Sequence, residues 1–390
     1  MSPIQCNLEH VERRAVKSLR VAVDFGTSGA GPTLICTAGI HGNEPAGVRA
    51  LEHLRGVLSS YESSFKGRLL GLRGNLGALE RRVRYVARDL NRMWPNVPGD
   101  SALVPGAAFR SAEAQEMTEL AECIECAMNE ASGHGVYFLD LHTTSAVSIP
   151  FGVINDTISC RDFALHFPVP IILGLEEHVS STIADWALST GCVTMGFEAG
   201  QHDDPNAVQL HESAVLVALD AAAIAPASLK ESVESAREKL HNAARGQPGF
   251  VEIIHRHVVT DASVFTMQPG FVNFDCVQRG QLLAHENGTA LTAGVGARLF
   301  MPLYQQQGDD GYFLARPVGR FWLWLSRICR SAGLGAALPI LPGVRRSPQS
   351  RHVLFVNPHI ARFLRRQVFH LLGYRRICEH GDRVVFRRRD

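Results

Sequence analysis

The sequence lacks any uncharged apolar run of the ~18–20 residues that a membrane-spanning helix requires. The nearest approach, Ser331 to Val344, is short and interrupted by glycines and prolines. The amino terminus, Met1-Ser-Pro-Ile-Gln-Cys-Asn7, lacks the basic start and apolar core of a secretory signal. The nine cysteines are an odd number, scattered through hydrophobic segments, so reduced thiols in a soluble, cytoplasmic protein are expected. Net charge is almost absent, +1 over 390 residues, and by itself nominates no partner. Lysine is missing from the last seventy residues, where fourteen arginines face only Glu379, Asp382 and Asp390. That gives residues 321–390 a net of +11 and leaves −10 for the first 320, an acidic body with a basic tail. No internal repeat is present.

Two common devices are also missing. Gly26-Thr-Ser-Gly-Ala-Gly-Pro32 has no Lys-Ser/Thr of a P-loop and no helix after it. It is expected to be a hairpin turn between strands at Leu19–Phe25 and Thr33–Ala38. Cys123-Ile-Glu-Cys126 lies in a helical, acidic pattern from Ala107 to Glu130, with no second pair at zinc-ribbon spacing. Buried helix cysteines are the expected reading.

What is present is a set of apolar strands that end in polar residues. Thr33–Ala38 runs into Gly39-Ile40-His41-Gly42-Asn43-Glu44, where a His and a Glu three positions apart sit in a glycine-flanked turn. A helix is expected at Ala46–Leu58 and a strand at Leu69–Leu72. Val136–His142 is a second strand whose Asp140 and His142, two apart, share a side. Cys192–Glu198 is a third, followed by Gly200. Ligands of open α/β sheets bind beyond the carboxyl ends of strands. Three such ends supply two imidazoles, a ligating carboxylate and a spare one, the parts of a hydrolytic zinc site with one open position. Between them, Arg84-Tyr-Val-Ala-Arg-Asp-Leu-Asn-Arg92 packs three arginines, Asp89 and Asn91 into nine positions, which suits either a loop facing a polar cavity or a solvated surface loop.

Helices are expected at 203–224 and from a capping box at Ser228-Leu-Lys-Glu231 to about Ala244. After Gln247-Pro-Gly249 the pattern changes to short β segments. The expected organisation is an α/β catalytic domain (1–246) with a mixed sheet flanked by helices, a small all-β domain (247–320) and an Arg-rich extension (321–390).

These residues resemble the succinylglutamate desuccinylase/aspartoacylase family of zinc amidohydrolases, related to the zinc carboxypeptidases. The match rests on Gly-Ile-His41-Gly-Asn-Glu44, Arg84 through Asp89-Leu-Asn-Arg92, Asp140-Leu-His142 and Glu198-Ala-Gly200, in the family's order, and covers roughly residues 20–320. The resemblance implies a zinc carboxypeptidase-like fold, one zinc ion per subunit on His41, Glu44 and His142, and Glu198 as the base that activates water. It implies that Arg84 polarises the scissile carbonyl while Asn91 and Arg92 hold the substrate. It further implies that the β domain covers the site and lends a tyrosine, for which Tyr312 is a nearer match than Tyr304. Asp140 is expected to orient a ligand histidine. The segment Gly270 to Ala284 is reminiscent of lipoyl-type barrels but has no exposed lysine to modify, so it is read as architecture. There is one departure: aspartoacylases carry an arginine shortly before the catalytic glutamate, and Ser180–Thr190 contains no basic residue. N-acetylaspartate is therefore disfavoured as substrate.

The expected function is zinc-dependent hydrolysis of an N-acyl amino acid or similar small carboxylated amide. Two rival readings are a zinc carboxypeptidase-like peptidase and a non-catalytic protein whose tail docks on nucleic acid or an anionic surface. For the tail itself, a folded accessory element with solvated arginines is expected. A homo-oligomer is compatible with the sequence.

Overall fold

The computed structural model describes residues 19–95, 111–261, 263–360, 366–380 and 383–389. The amino-terminal segment and the first residues of the acidic helical pattern, Ala107–Arg110, lie outside the described residues.

The strands β1 (Val21–Gly26), β2 (Thr33–Ala38), β3 (Arg68–Arg73), β4 (Val136–Thr144), β5 (Phe151–Val153), β6 (Ile171–Leu173) and β7 (Val193–Gln201) form most of one large mixed sheet. Its helices are α1 (Ala46–Leu58), α2 (Leu76–Arg81), α3 (Ala112–Glu130), α4 (Ile158–Ala164), α5 (Ile183–Ser189), α6 (Ala207–Ala221) and α7 (Lys230–Ala243). All six residues of β2 are buried, because it runs parallel between β3 and β4 and helices cover both faces. Its side chains alternate between two cores. Leu34, Cys36 and Ala38 pack with α1 and α6, while Ile35 joins Leu120 and Ile124 of α3 and Trp186 of α5. The expected hairpin does not form: β3 lies between β1 and β2, antiparallel to one and parallel to the other. The cysteine pair does sit on α3, but Cys126 is exposed rather than buried. The predicted capping box at Ser228 is also absent. A 3₁₀ turn over Ala227–Leu229 feeds α7, which has no side-chain cap, whereas Thr182 and Asp185 form a capping box on α5.

Beyond α7 come β8 (Phe250–Val258), β9 (Phe265–Met267), β10 (Cys276–Val277), β11 (Leu282–Glu286), β12 (Thr289–Thr292), β13 (Ala297–Phe300) and β14 (Asp310–Pro317). Strand β8 pairs in parallel with β6, so the large sheet continues through β8-β14-β13-β10 to eleven strands. Strands β12-β11-β9 make a separate antiparallel sheet. The fold is therefore α/β: a large mixed sheet flanked by helices, with small antiparallel sheets attached.

The basic tail is folded. It contains α8 (Arg320–Ser331), β15 (Val344–Arg346), β16 (Val353–Val356), α9 (Arg366–Leu371), β17 (Tyr374–His380) and β18 (Arg383–Arg388), with the strands in the order β15-β16-β18-β17. Two of its arginines depart from the solvated expectation. Arg330 and Arg375 are 3% and 2% exposed because acids of the body meet them. Asp156 Oδ2 accepts from Arg330 Nη2 at 2.8 Å, and Glu252 Oε1 accepts from Arg375 Nη1 at 3.1 Å. Burial would raise the Asp156 carboxyl, but Arg375, Arg161 and Arg330 hold it well below the usual range. No described helix is long and apolar enough to cross a membrane.

Candidate metal centre

Strands β2, β4 and β7 run parallel, so their carboxyl ends open on one edge of the sheet. After β2 the chain turns at Gly39 (φ +72°), then at Gly42, where a Cβ would lie 2.0 Å from the backbone carbon of Ala78. Only glycine fits that approach. The turn delivers His41 and Glu44 to the edge; β4 delivers Asp140 and His142. His142 and Glu198 are register partners across β4 and β7, so both side chains leave the sheet on the same side.

The ligand-type atoms of His41, Glu44 and His142 lie within 4.8 Å of one another, and all three residues are buried. Glu44 Oε1 is 2.8 Å from His41 Nδ1, and its Oε2 is 3.1 Å from His142 Nδ1. The far nitrogens are also engaged: His41 Nε2 is 3.1 Å from Asp89 and His142 Nε2 is 2.7 Å from Asp140. Each Nε2 is held outward by a carboxylate, so both Nδ1 atoms point at Glu44; they donate to it here and would offer their lone pairs to a metal ion that displaced those protons. Asp140 is held in turn by the Thr37 hydroxyl at 2.6 Å, and Glu44 Oε2 accepts from Thr143 N–H at 2.9 Å. The donor set of two imidazoles and a carboxylate fits a metal ion. Burial opposes both charges, but His41 and His142 hold the Glu44 carboxyl well below its ordinary range, and Asp140 with Glu44 holds the His142 imidazole well above its own.

Glu198 faces this group and behaves differently. It is 8% exposed, its Oε2 has no hydrogen-bond partner, and burial pushes its carboxyl up to about 8. The Arg84–Arg92 segment is a loop closed by a 3₁₀ turn, and Arg84, Asn91 and Arg92 line the same cavity of about 170 Å³. Arg84 donates to Asp89 at 2.8 Å and lies 3.9 Å from Glu44; these acids outweigh burial and hold its guanidinium above the usual range. Arg92 donates to Asp310 at 2.8 Å, and Asn91 Oδ1 accepts from Ile183 N–H at 2.9 Å.

Tyr312 is not brought to the cavity. It is 3% exposed inside the β unit and stacks on His257 with ring centroids 5.1 Å apart. A register shift between Asp310 and Tyr312 in β14 places Asp310 and Phe313 on the cavity side instead. Tyr304 is 40% exposed and donates to the Gln268 carbonyl at 2.6 Å. The β unit covers the site with glutamines. Gln305 accepts from Asn43 at 3.0 Å, and Gln307 accepts from Arg84 N–H at 3.1 Å. These, along with Asp310, Glu176 and Asp185 of the cavity wall, carry no local sequence signal. Glu113 is a further missed residue: fully buried on α3, it accepts from Val86 N–H at 2.7 Å and Ala87 N–H at 3.1 Å, anchoring the arginine loop.

Residues 30–218 match the family model of the succinylglutamate desuccinylase/aspartoacylase catalytic domain. Among curated proteins, succinylglutamate desuccinylase of Pseudomonas paraeruginosa is 36% identical over 96 residues, 25% of this chain and 28% of that protein. The same-named protein of Erwinia tasmaniensis is 34% identical over 128 residues, 31% of this chain and 36% of that protein. The alignments thus span only about a third of those relatives. Among solved structures, a succinylglutamate desuccinylase of Vibrio parahaemolyticus superposes with a TM-score of 0.52 at 16% identity, over 75% of this chain and 83% of the other. A succinylglutamate desuccinylase/aspartoacylase of Rhodobacter sphaeroides gives 0.54 at 16%, over 76% and 88%. At that identity the superpositions speak to the fold, which is the same. With its motifs in order, this fold and the match over residues 30–218, the chain carries a catalytic domain of the succinylglutamate desuccinylase/aspartoacylase family.

Proposed function

We propose that this chain is a cytoplasmic zinc-dependent hydrolase that cleaves the amide bond of an N-acyl amino acid or similar small carboxylated amide. The observation that carries the reading is the convergence of two Nδ1 atoms on Glu44, with Asp89 and Asp140 behind them and Glu198 in front. His41, Glu44 and His142 would hold one zinc ion, a donor set that suits zinc and leaves a position open. Zinc there supplies a Lewis acid that polarises an acyl oxygen and acidifies water.

Glu198 is suited to moving a proton, because it faces the His41–Glu44–His142 group from the cavity wall and its Oε2 is bound to no protein donor. It takes the proton of the attacking water as the oxygen–carbon bond forms. It then gives that proton to the departing nitrogen as the carbon–nitrogen bond breaks, leaving a carboxylic acid and an amine. Arg84, aimed by Asp89, faces the negative charge that develops on the acyl oxygen. Asn91 has committed its Oδ1 to Ile183 and keeps its amide N–H groups for the substrate. Arg92, placed by Asp310, takes the substrate carboxylate. Tyr312 has no part in this scheme.

The test is a panel of N-acetyl and N-succinyl amino acids beside short peptides, assayed with protein stripped of metal and reloaded with zinc. Zinc-restored release of amine from the N-acyl amino acids is expected. Hydrolysis of the peptides alone would replace this reading with a peptidase.

A further inference from the structure

The cavity wall carries acids whose charge the mechanism does not use. Asn155, Leu175, Glu176, Val179 and Asp185 line it. Glu176 comes from a 3₁₀ turn after β6, and Asp185 from the first turn of α5. The Glu176 side chain is 2% exposed; its Oε1 accepts from Asp156 N–H at 3.2 Å, and its Oε2 is buried with no hydrogen-bond partner. The nearest cation, Arg375, is 3.7 Å from Oε1, and that guanidinium is shared with Asp156, Glu177 and Glu252. Burial pushes the Glu176 carboxyl above the usual range, with Arg375 and Arg389 opposing it. Asp185 accepts from Asn155 Nδ2 at 2.6 Å and from Thr182 N–H at 3.4 Å.

Among the described residues that line the cavity, the arginines are Arg84 and Arg92, and the mechanism assigns them to the acyl oxygen and to one substrate carboxylate, leaving neither for a second. The segment 180–190 adds Asp185 and no basic residue. A buried carboxylate oxygen without a donor is costly, and the group that completes it must donate a hydrogen bond and gains most if it is positive. A second carboxylate on the substrate would meet like charge here instead.

We propose that Glu176, backed by Asp185, binds a cationic nitrogen on the amine portion of the substrate. The substrate class is then an N-acyl diamino acid or N-acyl diamine rather than an N-acylated acidic amino acid. This inference rests on the hydrolase reading above. It assigns two parts of the cavity wall opposite tasks: Arg92 and Asn91 hold a carboxylate, and Glu176 holds an ammonium.

The experiment compares Nα-acetyl-lysine and Nα-acetylornithine with the uncharged Nα-acetylnorleucine and the acidic Nα-acetylglutamate, on zinc-loaded wild type and Glu176→Gln. The wild type is expected to favour the amine-bearing substrates by at least about tenfold in kcat/KM over norleucine, and Glu176→Gln to cut that ratio by about tenfold or more. A wild-type preference for acetylglutamate, or a ratio that Glu176→Gln leaves unchanged, would overturn the proposal. Calorimetric binding of lysine, norleucine and glutamate to the same two proteins separates the two readings. Lysine-selective binding that Glu176→Gln abolishes, without turnover of any substrate, upholds the ammonium site and rejects the hydrolase; turnover without charge preference does the reverse. Matching thermal melts of the two proteins establish that Glu176→Gln is folded.

Discussion

Replacing Arg375 by Met should loosen the tail from the body by an amount the structure allows to be worked out. Arg375 is 2% exposed. Its Nε lies 3.1 Å from Asp156, and its Nη1 lies 3.1 Å from Glu252, 3.3 Å from Glu177 and 2.9 Å from His370 Nδ1. Each close pair is worth about 4 kcal/mol at the effective dielectric of a protein, but much of this offsets desolvation. Without Arg375 the buried Glu176 loses its nearest cation, at 3.7 Å, but the acids bonded directly to the guanidinium are not stranded. Asp156 keeps Arg161 and Arg330, Glu252 keeps Arg316, and Glu177 keeps His370. The net loss therefore belongs at the low end of that for breaking a buried pair, about 3 kcal/mol. With a urea slope of about 3 kcal/mol per molar, the unfolding midpoint at pH 7 should fall by about 1 M. The pH dependence has a definite sign. The folded-state carboxyls of Asp156 and Glu252 lie below their unfolded values, because arginines outweigh burial at Asp156, and His370 with Arg375 and Arg316 does so at Glu252. Their stabilisation is complete above the unfolded values, about 4, and is lost as pH falls below them. The gap between wild type and Arg375→Met should thus be widest near neutrality and shrink in acid. A midpoint shift under about 0.3 M at pH 7, or one that grows on acidification, would refute the reasoning.

Two other substitutions probe how the site is held. Glu113→Ala removes the acceptor of the Val86 and Ala87 N–H groups and should lower kcat/KM about 10- to 100-fold through the displaced arginine loop, with zinc content unchanged. Gly42→Ala drives a methyl into the Ala78 backbone and should weaken zinc binding at least about tenfold in an equilibrium titration, and the displaced backbone should also lower the metal-free urea midpoint by about 0.3–1 M.

The metal group was legible because each of its residues ends an apolar strand, and strand ends of a parallel sheet share one edge. The same logic reached Glu198, whose register with His142 follows from adjacent strands. The Tyr312 expectation came from the family resemblance, and it failed because a register shift in β14 turned the tyrosine inward and Asp310 outward, a shift that leaves no mark in composition or period. The hairpin expectation failed for a related reason: consecutive strands were separated by β3, a long-range pairing that a glycine-rich turn cannot reveal. Counting charges exposed the basic tail, but not that Arg330 and Arg375 are buried. Their partners Asp156, Glu177 and Glu252 come from other segments far away in the chain. Glu113, Glu176 and the glutamines over the site are equally silent, since each acts through a contact that only the fold creates.

The most direct measurement is the zinc content and turnover of Glu198→Gln, made beside wild type on the best substrate of the acyl panel. The account predicts one zinc per chain in both proteins and a loss of kcat of about 10³-fold or more in the variant, because the amide keeps the shape and cannot accept the proton. Turnover within a few-fold of wild type, with zinc retained, would contradict it.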